Sequence, residues 1–242
     1  MRFILIFFAS LLLALPGRTE ELVYVVSTGS AMPMTDFRDG VLVGGLLKEF
    51  GDALARELRM TPRYMSVPRK RVETPLANGQ ADILCDLRPE WLDGKDWLWS
   101  DAIFTNNEIV ATRLDTPAVR NVAELRRQRI GTILGYRYAH LEIPLGEEFA
   151  RDDAISDDFN LSKLLRMRFR YMLTNSLYYD YQRKTHAERA LLNPAVYKVF
   201  AFDTYCALPP RGKLALPALD RAIQALKRRG EIQAIVDRFR PN

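Results

Sequence analysis

Histidine and cysteine are scarce here, with two of each in 242 residues. His140 and His186 lie in polar helical patterns without a neighbouring cysteine or nucleophilic serine motif, and no H-E-x-x-H or C-x-x-C spacing occurs. Nothing in the sequence supports a metal site, a cofactor or covalent chemistry. The acidic pairs Asp152-Asp153 and Asp157-Asp158 are adjacent rather than aimed at one point, and they read as exposed. Charge of one sign is also lacking: 35 basic residues face 30 acidic ones, a net of +5. The small basic clusters at Arg69-Lys70-Arg71, Arg126-Arg127 and Arg166 to Arg170 are interrupted by apolar residues at structural spacing. That pattern excludes a nucleic-acid footprint and predicts solvated faces. No fixed-period repeat or low-complexity tract occurs, and no apolar run beyond the N-terminus reaches transmembrane length.

The N-terminus is different. Arg2 supplies a positive start, Phe3 to Leu15 form one apolar run, and Pro16-Gly17 breaks it before Arg18-Thr19-Glu20-Glu21. Residues 1–18 read as a secretory signal peptide, with an uncleaved anchor as the alternative, and the expected location is the periplasm. No cysteine follows the run to carry a lipid. In an oxidising compartment Cys85 and Cys206, both inside apolar strand-like runs, are able to form a disulfide or to remain two buried thiols.

The remaining roughly 220 residues suffice for one large domain or two modest lobes. Leu22 to Ser27 predicts a strand, and Val41 to Leu58 a helix with Leu47, Phe50, Leu54 and Leu58 on one face, ended by Pro62. Arg63 to Val67 is a second strand, Pro68 opens a helix through Ala77, and Asn78-Gly79 stops it before the apolar run Ala81 to Cys85. Strand, helix, strand, helix, strand is the alternation of a parallel sheet covered by helices. Ligands in such sheets sit beyond the carboxyl ends of strands, which nominates Asp86, Arg88 and Trp91. Phe104 to Arg113 reads as a long strand leaving this unit. The alternation then restarts: helix 122–127, strand 129–134, a turn at Gly135-Tyr136-Arg137-Tyr138 into a helix, helix 161–167, strand 169–174, helix 176–189. Strands at 196–202 and 204–208 and two amphipathic helices, split by Gly230, close the chain.

Five segments in this order resemble the family-3 periplasmic solute-binding proteins used by ABC importers. They are Gly44-Gly45-Leu46-Leu47-Lys48-Glu49-Phe50, Asn78-Gly79-Gln80-Ala81-Asp82, Trp99-Ser100-Asp101-Ala102-Ile103-Phe104, Val122 to Gly135, and Leu226 to Ile232. The resemblance implies an α/β type II fold of two lobes, each a mostly parallel sheet flanked by helices. Lobe one would be 21–112 with 202–242, and lobe two 113–201, with crossover strands near 110–113 and 200–203. It also implies closure around a small molecule captured as a monomer and delivered to a membrane permease. The family's arginine for the ligand carboxylate falls near Asp93-Gly94, where no arginine stands, and Arg88 is the nearest candidate. The family's carboxylate for the ligand ammonium is matched by Asn175. Both departures point away from a standard amino acid.

On physical grounds the cleft candidates also include Tyr136 and Arg137, at a strand-to-helix turn suited to an anionic group. Phe37, Trp91 and Trp99 are stacking surfaces, and Thr105, Asn106, Asn175 and Ser176 are hydrogen-bonding groups. The expected function is capture of a small polar or anionic solute, amino-acid-like or a small carboxylate, for an importer. A sensor or accessory module, and a dehydratase of the same fold, are the alternatives.

Overall fold

The computed structural model describes residues 20–185 and 190–240. The expected leader at 1–18 and His186 lie outside the described residues. In chain order the elements of the first unit are β1 (Glu21–Ser27), β2 (Asp36–Arg38), β3 (Val41–Gly44), α1 (Leu46–Leu58), β4 (Thr61–Val67), α2 (Glu73–Ala77), β5 (Ile83–Leu87) and β6 (Leu98–Trp99). Then come β7 (Thr105–Ala111), β8 (Arg129–Ile133), α3 (Ala139–Leu145), β9 (Ala150–Ala154), α4 (Asp157–Leu165), β10 (Tyr171–Asn175), α5 (Ser176–Thr185) and β11 (Tyr197–Asp203). The chain returns through β12 (Tyr205–Leu208), α6 (Leu216–Arg228) and α7 (Glu231–Phe239).

Two five-stranded sheets result, ordered β4-β1-β5-β12-β6 and β11-β7-β10-β8-β9. In each, three parallel strands stand in the order second, first, third, and the next strand, β12 or β7, runs antiparallel. β1 reads LVYVV without alternation because both its faces are covered. Leu22, Tyr24 and Val26 pack with α1, α6 and α7, while Val23 and Val25 pack with α2 and the segment carrying Trp91. Leu47, Phe50 and Leu54 of α1 are buried, as their spacing predicts.

Several boundaries differ from expectation for identifiable reasons. Val41 to Gly44 pair with β2 instead of opening α1. The helix ends at Arg59, which adopts the left-handed cap conformation, not at Pro62. Pro62 sits within β4, an edge strand, where a missing N–H is tolerated. β5 starts two residues late because the Asp82 carboxylate accepts the Val23 N–H at 2.7 Å, so Asp86 lies inside the strand. β9 has the polar sequence ARDDA and no apolar period, as edge strands often do, and this explains why no strand is expected there. α4 starts at Asp157, four residues earlier than its apolar pattern, because Ser156 caps it by accepting the Phe159 N–H at 3.3 Å.

Cys85 and Cys206 form a disulfide between neighbouring strands β5 and β12, with 121 residues of separation that hold the whole second sheet. The chain passes between the sheets at 103–105 and 203–205. There Ile103 donates to the Thr204 carbonyl at 2.7 Å and Thr204 to the Phe104 carbonyl at 2.9 Å. The first crossing thus precedes the expected 110–113, because Glu108 to Ala111 pair with β10 and belong to the second sheet.

Gly131 of β8 makes a close approach that only glycine allows. A Cβ there would lie 2.1 Å from the Phe169 ring and 2.4 Å from Asn160 Oδ1, both in the core under that sheet. Gly131→Ala is expected to lower stability by about 1–3 kcal/mol through overpacking, visible as a drop of several degrees in thermal midpoint. An unchanged midpoint would show that this core yields freely.

Candidate functional site

The parallel strands of both sheets direct their carboxyl ends toward one cleft, the position where open α/β sheets bind ligands. It encloses a cavity of about 90 Å³. A cavity of that size holds several waters or a small solute. The first unit contributes Arg69 after β4, Asp86 of β5, and Trp91. The second contributes Asn106 and Glu108 of β7, Tyr136 after β8, Asp157 opening α4, and Thr174 and Asn175 of β10.

The two walls touch. Arg137 of the second unit pairs with Asp93 of the first. The Arg69 guanidinium lies 5.2 Å from the Tyr136 ring centre. Asp157 donates its N–H to the Gly29 carbonyl at 3.1 Å, and Gln182 Nε2 donates to the Met32 carbonyl at 3.3 Å. Gly135 makes the turn before Tyr136 with φ +83°, and a Cβ there would lie 2.8 Å from Lys70 Cγ. A side chain at 135 would therefore oppose both the turn and the approach of the lobes.

Three acids share the cavity wall. Burial raises Asp86 to about 8, although nearby Arg69 opposes the rise. Burial also raises Glu108 to about 8, with Glu142 adding to it, and Asp157 to about 7, with Asp158 adding to it. None of these three carboxyl groups hydrogen-bonds to another described side chain or backbone group. Glu108 is 6% exposed and its Oε1 has no partner. Thr174, at 7%, likewise has an unpartnered Oγ1. Arg69 donates to the Trp91 carbonyl at 3.1 Å, and burial pulls its pKa below the usual guanidinium value.

The structure brings six of the sequence candidates to the cavity wall: Asp86, Trp91, Asn106, Tyr136, Arg137 and Asn175. It places the other five elsewhere. Phe37 packs on the first-sheet core, and Trp99 packs on the opposite face of that sheet. Arg88 pairs with Glu90 and lies 5.6 Å from the Phe200 ring centre. Thr105 is exposed and donates to Asp203 at 2.5 Å beside the crossing. Ser176 donates to Asn106 Oδ1 at 3.0 Å and accepts from Asn107 at 3.2 Å. Asn175 accepts from Asn106 Nδ2 at 3.1 Å and from the Tyr178 N–H at 3.0 Å, capping α5. Its amide oxygen is therefore committed within the protein. The turn at Gly135 does not open directly into a helix, since α3 starts only at Ala139 and is seven residues long. Arg137, the cation expected for an anionic ligand, is engaged by Asp93.

Solved structures with this arrangement are numerous. The chain matches an ancestral amino-acid-binding protein, AncCDT-1, described as a precursor of cyclohexadienyl dehydratase, with TM-score 0.76 and 15% identity over 91% of this chain and 96% of that one. It matches an amino acid ABC transporter substrate-binding protein of Streptococcus pneumoniae, AbpA, bound to L-arginine, with TM-score 0.73 and 16% identity over 90% and 94%. The GluR0 ligand-binding core of Nostoc punctiforme, in complex with L-glutamate, gives TM-score 0.74 and 10% identity over 90% and 98%. The chain has the type II periplasmic-binding-protein fold. No protein-family model matches it, and no curated protein matches it in sequence. Among the described residues no helix is long and apolar enough to cross a membrane.

Within this periplasmic-binding-protein fold, several wall residues escape sequence reasoning. Arg69 sits in a basic cluster that predicts a solvated face, yet its side chain turns into the cleft. Asp157 belongs to a pair expected to be exposed, yet it is 5% exposed while Asp158 remains outside. Glu108 was legible in principle, since it stands two residues from Asn106 on a strand and shares its face.

Proposed function

We propose that this protein captures a small polar solute between its lobes and hands it to a membrane partner, an importer permease or a sensor. The observation that carries this reading is the cavity itself. Its wall is contributed by both units, and it presents buried polar atoms, Glu108 Oε1 and Thr174 Oγ1, that no other described residue satisfies. Buried polar groups are normally paired, and a ligand would supply the missing partners. Closure needs no covalent chemistry, because a ligand touching both walls favours the closed arrangement by its differential affinity for it.

The expected result is a thermal-shift hit from a screen of amines, amino acids, small carboxylates and sugars against residues 19–242. A ligand at 100 times its Kd adds about 2.7 kcal/mol to the folded state. Arg137→Ala and Asp93→Ala should each weaken that ligand only about two- to fivefold, since an exposed ion pair contributes about 0.2–1 kcal/mol. No hit across the four classes from a cooperatively folding sample would remove the reading.

A second reading has one observation in its favour. A buried carboxyl group held protonated near neutral pH, as Glu108 is, has the character of a general acid. One matched fold is that of a dehydratase precursor. Turnover of any ligand found in the screen, followed by product analysis, separates capture from catalysis.

A further inference from the structure

Resting on the capture reading, we propose that the solute is a small organic cation with N–H donors, a primary amine or amidinium lacking a carboxylate, seated against Glu108, Asp157 and Asp86.

Three carboxyl groups line one small cavity, and none accepts a hydrogen bond from another described residue. The cations of the wall are engaged: Arg69 with the Trp91 carbonyl and the Tyr136 face, and Arg137 with Asp93. Asn106 spends its amide on Asn175, Ser176 and backbone, and the Asn175 oxygen accepts from Asn106 and from the Tyr178 N–H. The independent pointer is the pair of orphaned oxygens, Glu108 Oε1 and Thr174 Oγ1, each on a side chain more than nine-tenths buried on neighbouring strands. An unpaired buried acceptor is costly, and a cationic N–H donor is its strongest complement.

A carboxylate ligand would meet the reverse situation. It would enter among three acids, each of which repels it once ionised, with the engaged Arg69 guanidinium as the counter-charge at the wall. Aromatic surface supports the cation as well. Trp91 and Phe202 pack edge to face with ring centres 5.1 Å apart, and both border the cavity together with Tyr136. Aromatic faces attract an ammonium group.

The test is isothermal titration at pH 8 with ethanolamine, isobutylamine and putrescine on one side. Acetate, succinate, L-alanine and L-glutamate stand on the other. At least one amine is expected to bind at least tenfold more tightly than every carboxylate-bearing probe. Glu108→Gln, nearly isosteric, should weaken it tenfold or more while far-ultraviolet circular dichroism and cooperative unfolding are retained. Asp157→Asn serves as the second variant if Glu108→Gln does not fold, and the same loss is expected. Binding of a carboxylate-bearing probe in preference to the amines, unaffected or improved by both substitutions, would overturn the cation assignment and leave capture standing. Binding of none of the probes, nor of any solute in the wider screen, would overturn both.

Discussion

Replacing both Cys85 and Cys206 by alanine, or reducing their bond, is expected to destabilise the protein by about 4–5 kcal/mol. The bond closes a loop of 121 residues, and in the chain-entropy account a loop near that length is worth about 4.7 kcal/mol because the unfolded chain loses so many conformations. The substitution adds a smaller cost in the core, since both side chains are buried beside Leu208 and Ile83. For a chain of this size each kcal/mol moves the midpoint by about 2–4 °C, so a fall of roughly 10–20 °C is expected. Thermal unfolding with and without reductant measures it directly. Coincident curves would mean that the bond constrains the unfolded chain far less than its span implies.

The second large effect is a fall in stability as pH rises. Asp86 and Glu108 are held near 8 and Asp157 near 7, whereas the same groups in an unfolded chain titrate near 4. Between those values the folded state carries protons that the unfolded state has lost. The stability conferred by keeping these groups neutral is complete below about pH 4 and is lost as pH climbs through 7 and 8. The exposed acids Glu57, Glu148 and Asp115, lowered by their arginine partners, act in the opposite sense and only at acid pH. Stability should therefore peak near pH 5. Between pH 5 and pH 9 the three shifts amount to about 11 kcal/mol, and allowing about a third of that free energy, because water reaches the cavity, leaves roughly 4 kcal/mol. The groups bearing on these acids are Arg69 and Asp157 beside Asp86, Glu142 beside Glu108, and Asp158 beside Asp157. A series of midpoints from pH 5 to 9 should slope downward, and Glu108→Gln should flatten it. An amine ligand at pH 9 should restore much of the loss, since it pairs with the ionised carboxylates. A flat profile in the parent protein would show that solvent screens all three.

Sequence and structure agree best where burial imposes a period. β1, α1, α6 and α7 announce themselves because their apolar residues must repeat to cover a sheet. The two-lobe fold was legible for the same reason, through the alternation of strands and helices taken in order. Elements fixed by polar contacts were harder to place. Asp82 binding the Val23 backbone displaces the start of β5, and the polar edge strand β9 has no apolar rhythm to reveal it. The cleft was legible in outline because strand ends can be read from a sequence. The direction of a side chain at those ends cannot, so Trp99 and Phe37 went to the core while Arg69 and Asp157 turned inward. The mismatch at Asn175 does have a reading in hindsight: its amide caps α5 and ties β10 to β7, a task that spends the oxygen a ligand would otherwise meet.

The two crossings at 103–105 and 203–205 are joined rung to rung by backbone hydrogen bonds, and this has a kinematic consequence. Two separate tethers would let the lobes slide and twist as well as swing. A paired ribbon resists shear, because sliding one strand past the other breaks its rungs, whereas flexing across its width leaves them intact. The pairing at the crossings therefore opposes sliding of one lobe past the other and leaves a swing as the easier motion, one that keeps the wall residues in register.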